Sequence, residues 1–312
     1  MAVKITLLGD MMLGRSFDEI DPLSLIGHHT SHEVWSQHVQ EIMADTLLIG
    51  NLETSITDSK DKYPDKAFNF KISPTIFPHL LPQGIGGMAV NLANNHVFDY
   101  KDQGLRDTLD TLNKLGIAHV GAGLTKDEAR KPTIFKYNDF TIGLIGIADH
   151  PLEWVDKINY LDIENGTPET WQSQLDIVEA TAAAVDIVIV YLHYGPNWRR
   201  NPTPKFEMFN RLLIDSGATI VVGTSPHHLQ KVESYKHGII FYSLGDAIDD
   251  YAINDEYRND LTVITQLQFT HVDSKITLDV EMWPAKIHNM SLDLLNADTS
   301  EYNLVRTMLG LK

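Results

Sequence analysis

The chain has 312 residues, 43% of them hydrophobic, which is enough for one large α/β domain or two modest ones with a sizeable core. Its 42 acidic and 25 basic residues leave a formal net charge of −17, which argues against non-specific binding to nucleic acid or anionic membrane, both of which need basic surface. With no cysteine there is no disulfide, no thiolate nucleophile and no thiolate zinc site, so any metal must be held by His, Asp, Glu, Asn or water.

In chain order, "MAVKITLLGD" reads as a strand that starts almost at once. It lacks the basic region, long apolar stretch and small-residue cleavage site of a signal peptide. No apolar run approaches the ~20 residues of a membrane span. The location expected from the chain as given is therefore cytoplasmic, or extracellular if a leader has been removed. Residues 10–23, "DMMLGRSFDEIDPL", read as a polar surface loop, and "TLLIG" (46–50) and "GMAVNLA" (87–93) as strands. The spacing of Leu105, Leu109, Leu112 and Leu115 predicts a helix over 102–117, with Gly116 as its C-cap. "FTIGLIGIA" (140–148) is a strand, 169–185 a helix, "VDIVIVYLH" (185–193) a strand, and 204–218 a helix. Strands follow at "ATIVVG" (218–223), "GIIFYSLG" (238–245), "LTVITQLQFT" (261–270) and "KITLDVEMW" (275–283), with 249–260 read as a polar surface loop. Strand–helix alternation followed by a strand-rich end predicts a sheet core covered by helices. No repeat, low-complexity tract or linker interrupts the chain, so one domain over 1–312 is expected, with 285–312 as a C-terminal extension.

The apolar runs share a feature: they end in polar side chains. "LLGD" ends in Asp10, "LLIGNLE" in Asn51 and Glu53, "AVNLANNH" in Asn94, Asn95 and His96, and "IVIVYLH" in His193. "TIVVGTSPHH" ends in His227 and His228, and "IIFYSLGD" in Asp246. Singly, each has a plain explanation. Asp10 suits a turn, the asparagines suit a helix cap, and His193 suits a satisfied core histidine. His79, His119, His150, His237, His271 and His288 read as structural or surface residues. Together, six strand ends carrying oxygen and imidazole donors point to one site outside the C-terminal edge of an α/β sheet. This donor set suits Zn, Mn, Fe or Mg better than soft copper. Two cations about 3.5–4 Å apart activate water and stabilise a displaced oxygen in phosphoester hydrolysis, and a nearby unligated His can protonate the leaving group.

At "LLGDMMLGR" (7–15), "GNLETSIT" (50–57), "FNFKISP" (68–74), "VNLANNHVFD" (90–99), "HYGPNW" (193–198) and "GTSPHHLQKVESYKHGIIFYSLGD" (223–246), the chain resembles the bacterial capsule-synthesis CapA/PgsA family of poly-γ-glutamate accessory proteins. That family is a branch of the calcineurin-like metallophosphatase superfamily. The resemblance implies a four-layer αββα sandwich of two mixed β-sheets flanked by helices. It implies that one or two divalent metal ions (Mn, Zn, Fe or Mg) are held by Asp10 and His227 on one side and by Asn95 and His193 on the other, bridged by Glu53. His96 is then the acid or phosphate-orienting group, and Asn51, Arg15, Lys71 and Arg199 are the polar residues expected near a small or polymeric anionic substrate. Two positions depart from the pattern: Met12 stands where the superfamily places a His two after the Asp, and Thr224 where a ligand His is expected. The activity implied is a metal-dependent phosphoesterase. The alternatives are a non-catalytic accessory protein that binds an anionic polymer or partner, and, more weakly, a metal-assisted γ-glutamyl amidase.

Overall fold

The computed structural model describes residues 2–19, 34–273 and 275–311. The first half runs β1 (Ala2–Met11), α1 (Gln37–Met43), β2 (Leu47–Leu52), β3 (Ser55–Ile56), β4 (Lys71–Ile72), β5 (Gly87–Asn91), α2 (Lys101–Lys114), β6 (Ala118–Val120), α3 (Lys126–Arg130), β7 (Thr133–Tyr137) and β8 (Phe140–Ala148). The second half runs α4 (Pro168–Ala182), β9 (Ile187–His193), α5 (Pro204–Asp215), β10 (Ile220–Thr224), β11 (Val232–Tyr235), β12 (Gly238–Phe241) and β13 (Asp246–Ile248). It ends with β14 (Leu261–Val272), β15 (Lys275–His288), β16 (Ser291–Leu294) and α6 (Ser300–Met308).

One sheet has the order β16-β15-β14-β1-β2-β5-β6, with β13 also paired to β1; the other has the order β11-β12-β10-β9-β8-β7. Both are mixed: β1, β2, β5 and β6 are parallel while β14 is antiparallel to β1, and β8, β9, β10 and β12 are parallel while β7 and β11 are antiparallel. The continuous apolar runs arise because both faces of each sheet are covered. Ile187, Ile189 and Tyr191 of β9 face the other sheet, where they meet Ile5, Leu7, Ile49 and Val263. Val188, Val190 and Leu192 face the opposite way, onto Trp171, Val178, Phe209 and Leu213 of α4 and α5. Leu8, Leu48 and Val90 likewise face Val39, Met43, Leu105 and Leu112 of α1 and α2. The layers are thus helix, sheet, sheet, helix, as the resemblance implied.

Local signals account for most element ends. Thr203 caps α5 through its side chain, with Pro204 at the first helical position. Gly116 takes φ +68° just past α2, which therefore stops at Lys114 rather than 117. Three expectations are corrected. The strand expected over 238–245 ends at Phe241; the chain then turns at Gly245, φ +69°, so Asp246 begins a separate strand instead of ending one. Residues 249–260 are not a surface loop throughout, because Asp249, Asn259 and Asp260 are buried. Their polar atoms find partners inside: Arg258 forks onto Asp260 at 2.8 Å twice, and Asn259 Oδ1 accepts from the Asn254 amide at 2.7 Å. The loop expected over 10–23 is not a surface loop either: Asp10 and Met11 belong to β1, Met12, Leu13 and Phe17 are buried, and 20–23 lie outside the described residues. Residues 285–311 include the end of β15, all of β16, and α6, which places Val305 and Leu309 in the inter-sheet core. Among the described residues no helix is long and apolar enough to cross a membrane.

Candidate metal centre

Three neighbouring parallel strands deliver the first group of side chains. Asp10 pairs in register with Asn51, and Asn51 with Asn91. From the facing sheet, β9 and β10 deliver His193 opposite Thr224. Between Leu7 and Asp10 the β1–β2 register shifts, a bulge that re-aims the strand end. The buried Tyr191 hydroxyl reaches across the core to the Leu8 and Ile49 carbonyls at 3.1 and 2.8 Å, tying the two sheets together just below the polar cluster.

Asp10 is fully buried. Its Oδ1 accepts from Asn51 Nδ2 at 2.6 Å and its Oδ2 from the Ser225 amide at 3.0 Å. His193 Nδ1 lies 3.8 Å from Oδ1 and His227 Nδ1 3.7 Å from Oδ2. Burial alone would raise its pKa, but these rings and the amide hold Asp10 below the ordinary carboxylate value. Glu53 goes the other way. Burial first, then the charges of Asp10 and Asp246, push it well above the ordinary value. Neither of its carboxylate oxygens has a hydrogen-bond partner, while Oε1 sits 3.7 Å from His193 Nε2 and 3.9 Å from His96 Nε2.

His193 is held by Asn51 Nδ2 and Thr224 Oγ1 on Nδ1, at 3.3 and 3.1 Å, and by Asn95 Oδ1 on Nε2 at 3.0 Å. Burial pulls it down to about 4, so the ring is neutral at physiological pH, the form that ligates metals. His227, at φ +59°, has Nδ1 2.9 Å from Asp246 Oδ1. Although burial opposes it, the Asp246, Glu53 and Asp10 carboxylates push His227 up to about 10. Donor atoms within 4.8 Å of one another form two buried triads, Asp10–Glu53–His193 and Asp10–His227–Asp246.

His96 stands at the edge of this cluster. Its Nδ1 is 2.6 Å from Asp99 Oδ2, and Asp99 Oδ1 takes the Lys66 ammonium. The Phe70 ring lies 4.1 Å from the imidazole. Asn94 Oδ1 accepts from the His96 and Val97 amides, both at 3.0 Å, which fixes the turn. Burial lowers His96 to about 4 and lowers Lys66 as well.

Two clefts open onto the cluster. One, about 530 Å³, is lined by Arg15, Lys66, Phe68, His96, Trp198 and His227 among others. The other, about 710 Å³, is acidic, with Asp149, Asp162 and Glu164 beside His150 and Arg199. Asn95 lines both. Asp10, Glu53, Asn95, His96, His193 and His227 are therefore gathered, and Asn51 is a buried hub, its Oδ1 also accepting from Asn91 and Asn94 at 2.8 and 3.1 Å. Arg15 lines the smaller cleft, with Nε 3.4 Å from Asp250. Arg199 lines the larger one. Lys71 instead pairs with Asp18 at 3.0 Å. Reading the sequence missed Lys66, Asp99 and His150, whose ring lies 5.2 Å from that of His193. For Asp99 a signal existed, a carboxylate three residues after His96 in "HVFD"; Lys66, in an irregular segment, had none.

The model of the family described as bacterial capsule synthesis protein PGA_cap matches residues 4–251. The chain is 30% identical over 247 residues to the PGA biosynthesis protein CapA of Bacillus subtilis, an alignment covering 78% of this chain and 62% of that protein. It is 27% identical over 253 residues to the capsule biosynthesis protein CapA of Bacillus anthracis, covering 79% and 59% respectively. It thus spans about three fifths of these relatives' lengths. In fold, though at only 13% identity, it is similar to the calcineurin-like phosphoesterase YfkN from Bacillus subtilis, with a TM-score of 0.53 and coverage of 98% of this chain and 95% of that one.

Proposed function

The chain belongs to the bacterial capsule synthesis protein family, and from that membership we propose that it is a metal-dependent hydrolase, a phosphoesterase acting on an anionic substrate of capsule or poly-γ-glutamate metabolism. The observation that carries this reading is Glu53: a fully buried carboxylate whose two oxygens have no hydrogen-bond partner, set among Asp10, His193 and His96. Ionising such a group without a partner costs several kcal/mol, by the usual scale of about 3–5 for a buried charge left unpaired, and burial accordingly pushes Glu53 well above the ordinary carboxylate value. A divalent cation removes that cost. Carboxylate, imidazole and amide oxygen are donors that Mn, Zn, Fe or Mg accept, so the residues present fit the group.

Asp10, Glu53, Asn95, His193 and His227 would hold one or two such ions. When bound, a divalent cation polarises a phosphoryl oxygen and brings the pKa of water towards neutrality. The chain's own residues do the rest. Asn51 fixes Asp10 and His193 relative to each other. Asp99 and Lys66 hold His96 so that Nδ1 is occupied and Nε2 faces Glu53 and the cleft. Nε2 is then the atom that would meet the leaving oxygen; with the ring lowered to about 4 it carries no proton at neutral pH in the free protein, so donation to that oxygen requires the bound anion to raise it first. Arg15 and Lys66 bring positive charge to the smaller cleft of a strongly acidic protein, which counters the substrate's negative charge.

Thr224 favours a second reading, a non-catalytic accessory protein. It stands where the family pattern expects an imidazole, and its hydroxyl contacts His193 Nδ1 at 3.1 Å. The test is hydrolysis of an aryl phosphate by purified protein supplied with Mn or Zn. Turnover that disappears in Asp10→Ala and His96→Ala supports the phosphoesterase. Metal binding without phosphate release, but with cleavage of a γ-glutamyl anilide, would replace it by the amidase. Metal binding with neither reaction would leave the accessory reading.

A further inference from the structure

We propose that Asp246 is a metal ligand, standing with Asp10 and His227 at one cation position beside a second position formed by Asp10, Glu53 and His193. The inference rests on the metal-centre reading above and goes beyond the ligand set that the family resemblance implied.

Strand register is the first support. β13 runs parallel to β1 with Asp10 opposite Asp246. Residues in register on neighbouring parallel strands point to the same face, with backbones about 4.8 Å apart. The pairing depends on a close backbone approach. The Asp10 amide donates to the Gly245 carbonyl at 3.0 Å and the Met12 amide to the Ile248 carbonyl at 2.8 Å. A Cβ on Gly9 would lie 1.8 Å from the Gly245 oxygen, so only glycine allows β13 this near.

Donor geometry is the second support. His227 Nδ1 lies 2.9 Å from Asp246 Oδ1 and 3.7 Å from Asp10 Oδ2, and all three residues are buried. Asp246 is 0% exposed; its Oδ2 makes no hydrogen bond within bonding distance and has the buried Asp249 carboxyl, another acid, beside it. Two buried carboxyl groups side by side with an imidazole crowd like charges and oxygen donors at one point, an arrangement that a cation can satisfy. Chemistry gives the third support. Met12, two residues after Asp10, offers only a thioether, a poor donor for hard cations. Asp246 brings an oxygen from the next strand to the same end of β1. Among the described residues, Glu53 belongs to the His193 triad and Asp10 belongs to both triads.

The experiment is Mn²⁺ titration of the metal-free full chain by calorimetry, with electron paramagnetic resonance of the loaded protein, on wild type, Asp246→Asn and Glu53→Gln, each checked for folding by circular dichroism. The expected result is two equivalents and an exchange-coupled signal in the wild type. Asp246→Asn should lose one equivalent or weaken it at least tenfold, abolish the coupling and leave the other step unchanged. Glu53→Gln should weaken the other step. Two unchanged equivalents in Asp246→Asn, or equal weakening of both steps, would overturn the inference while leaving the metal centre standing. A wild-type chain that takes up no Mn²⁺ would overturn the metal-centre reading itself. Should Asp246→Asn not fold, anomalous scattering from Mn²⁺-soaked wild-type crystals decides: an ion within coordination distance of Asp246 supports the assignment, and one bound away from it refutes it.

Discussion

Removing one oxygen atom from the core tests how the two sheets are joined. In Tyr191→Phe the ring stays, so its buried area and packing are kept and no sizeable cavity forms. What is lost is a hydroxyl that reaches the Leu8 carbonyl at 3.1 Å and the Ile49 carbonyl at 2.8 Å. Tyr191 is completely buried, and burial raises its pKa well above the ordinary phenol value, so it remains a donor at any working pH. Leu8 lies in the stretch of β1 where the register with β2 shifts. Removing the donor should leave buried carbonyl oxygen without a partner, which costs about 1–3 kcal/mol. The expected loss of stability is therefore about 1–3 kcal/mol, read from urea denaturation as a lower midpoint at unchanged slope. Because Leu8, Ile49 and Tyr191 each lie two residues before Asp10, Asn51 and His193, Mn²⁺ affinity should fall as well. A change below about 0.5 kcal/mol, the usual scatter of neutral substitutions, together with unaltered Mn²⁺ affinity, would refute the idea that this hydroxyl holds the strand ends together.

Glu53→Gln should stabilise the metal-free protein at neutral pH by about 1 kcal/mol or more, since burial holds the Glu53 pKa well above its unfolded value, which costs the folded chain stability at pH 7, and an amide does not titrate; it should also reduce Mn²⁺ uptake, and thermal melts in EDTA and in Mn²⁺ read the two effects, a lower melting temperature in EDTA contradicting the account. The Arg258 fork holds Asp260 below the ordinary carboxylate value against the pull of burial, and Lys286 and Arg258 do the same for Glu301. Their stabilisation is then fully present above the unfolded-state values of about 4 and is lost as pH falls through the lower folded values. Asp260→Asn should accordingly cost about 2 kcal/mol at pH 7 and much less at pH 3, and an equal loss at both pH values would refute the charge explanation. Lys66→Met, which frees Asp99 and loosens His96, should lower kcat on an aryl phosphate at least about tenfold, a part of the 10²–10⁴ that general acid–base catalysis supplies; KM falling in step with kcat, or no change in the pH profile, would assign Lys66 elsewhere.

Element type was legible wherever the pattern is local and long. The strand 140–148 has the bounds that its β-branched run suggests, and the Leu105/Leu109/Leu112 spacing marks α2. Short strands were not legible. β13 has three residues, and it exists because β1 offers a pairing edge more than 230 positions away in the chain, reached past Gly9. The buried half of residues 249–260 was hidden for a related reason: Asp249, Asn259 and Asp260 are polar by composition, and only partners brought from elsewhere make their burial tolerable.

For the site, the rule that polar residues at the ends of apolar strands converge pointed to Asp10, Asn51, Glu53, Asn94, Asn95, His96, His193, His227, His228 and Asp246, because parallel strands in one sheet share a C-terminal edge, and the resemblance selected among them. Which donors stand within reach of which could not be read that way. The sequence by itself determined a sheet core covered by helices and the kinds of donor available, since periodicity and residue type act over a few positions; the two stacked sheets were legible only through the family resemblance. Only the tertiary structure decided that Asp10 stands in both triads, that Asp246 faces it, and that Lys66 and Asp99 brace His96. Those contacts depend on register and on separations of a few ångströms, over which a charge–charge energy changes several-fold, and residues far apart in the chain acquire such separations only on folding.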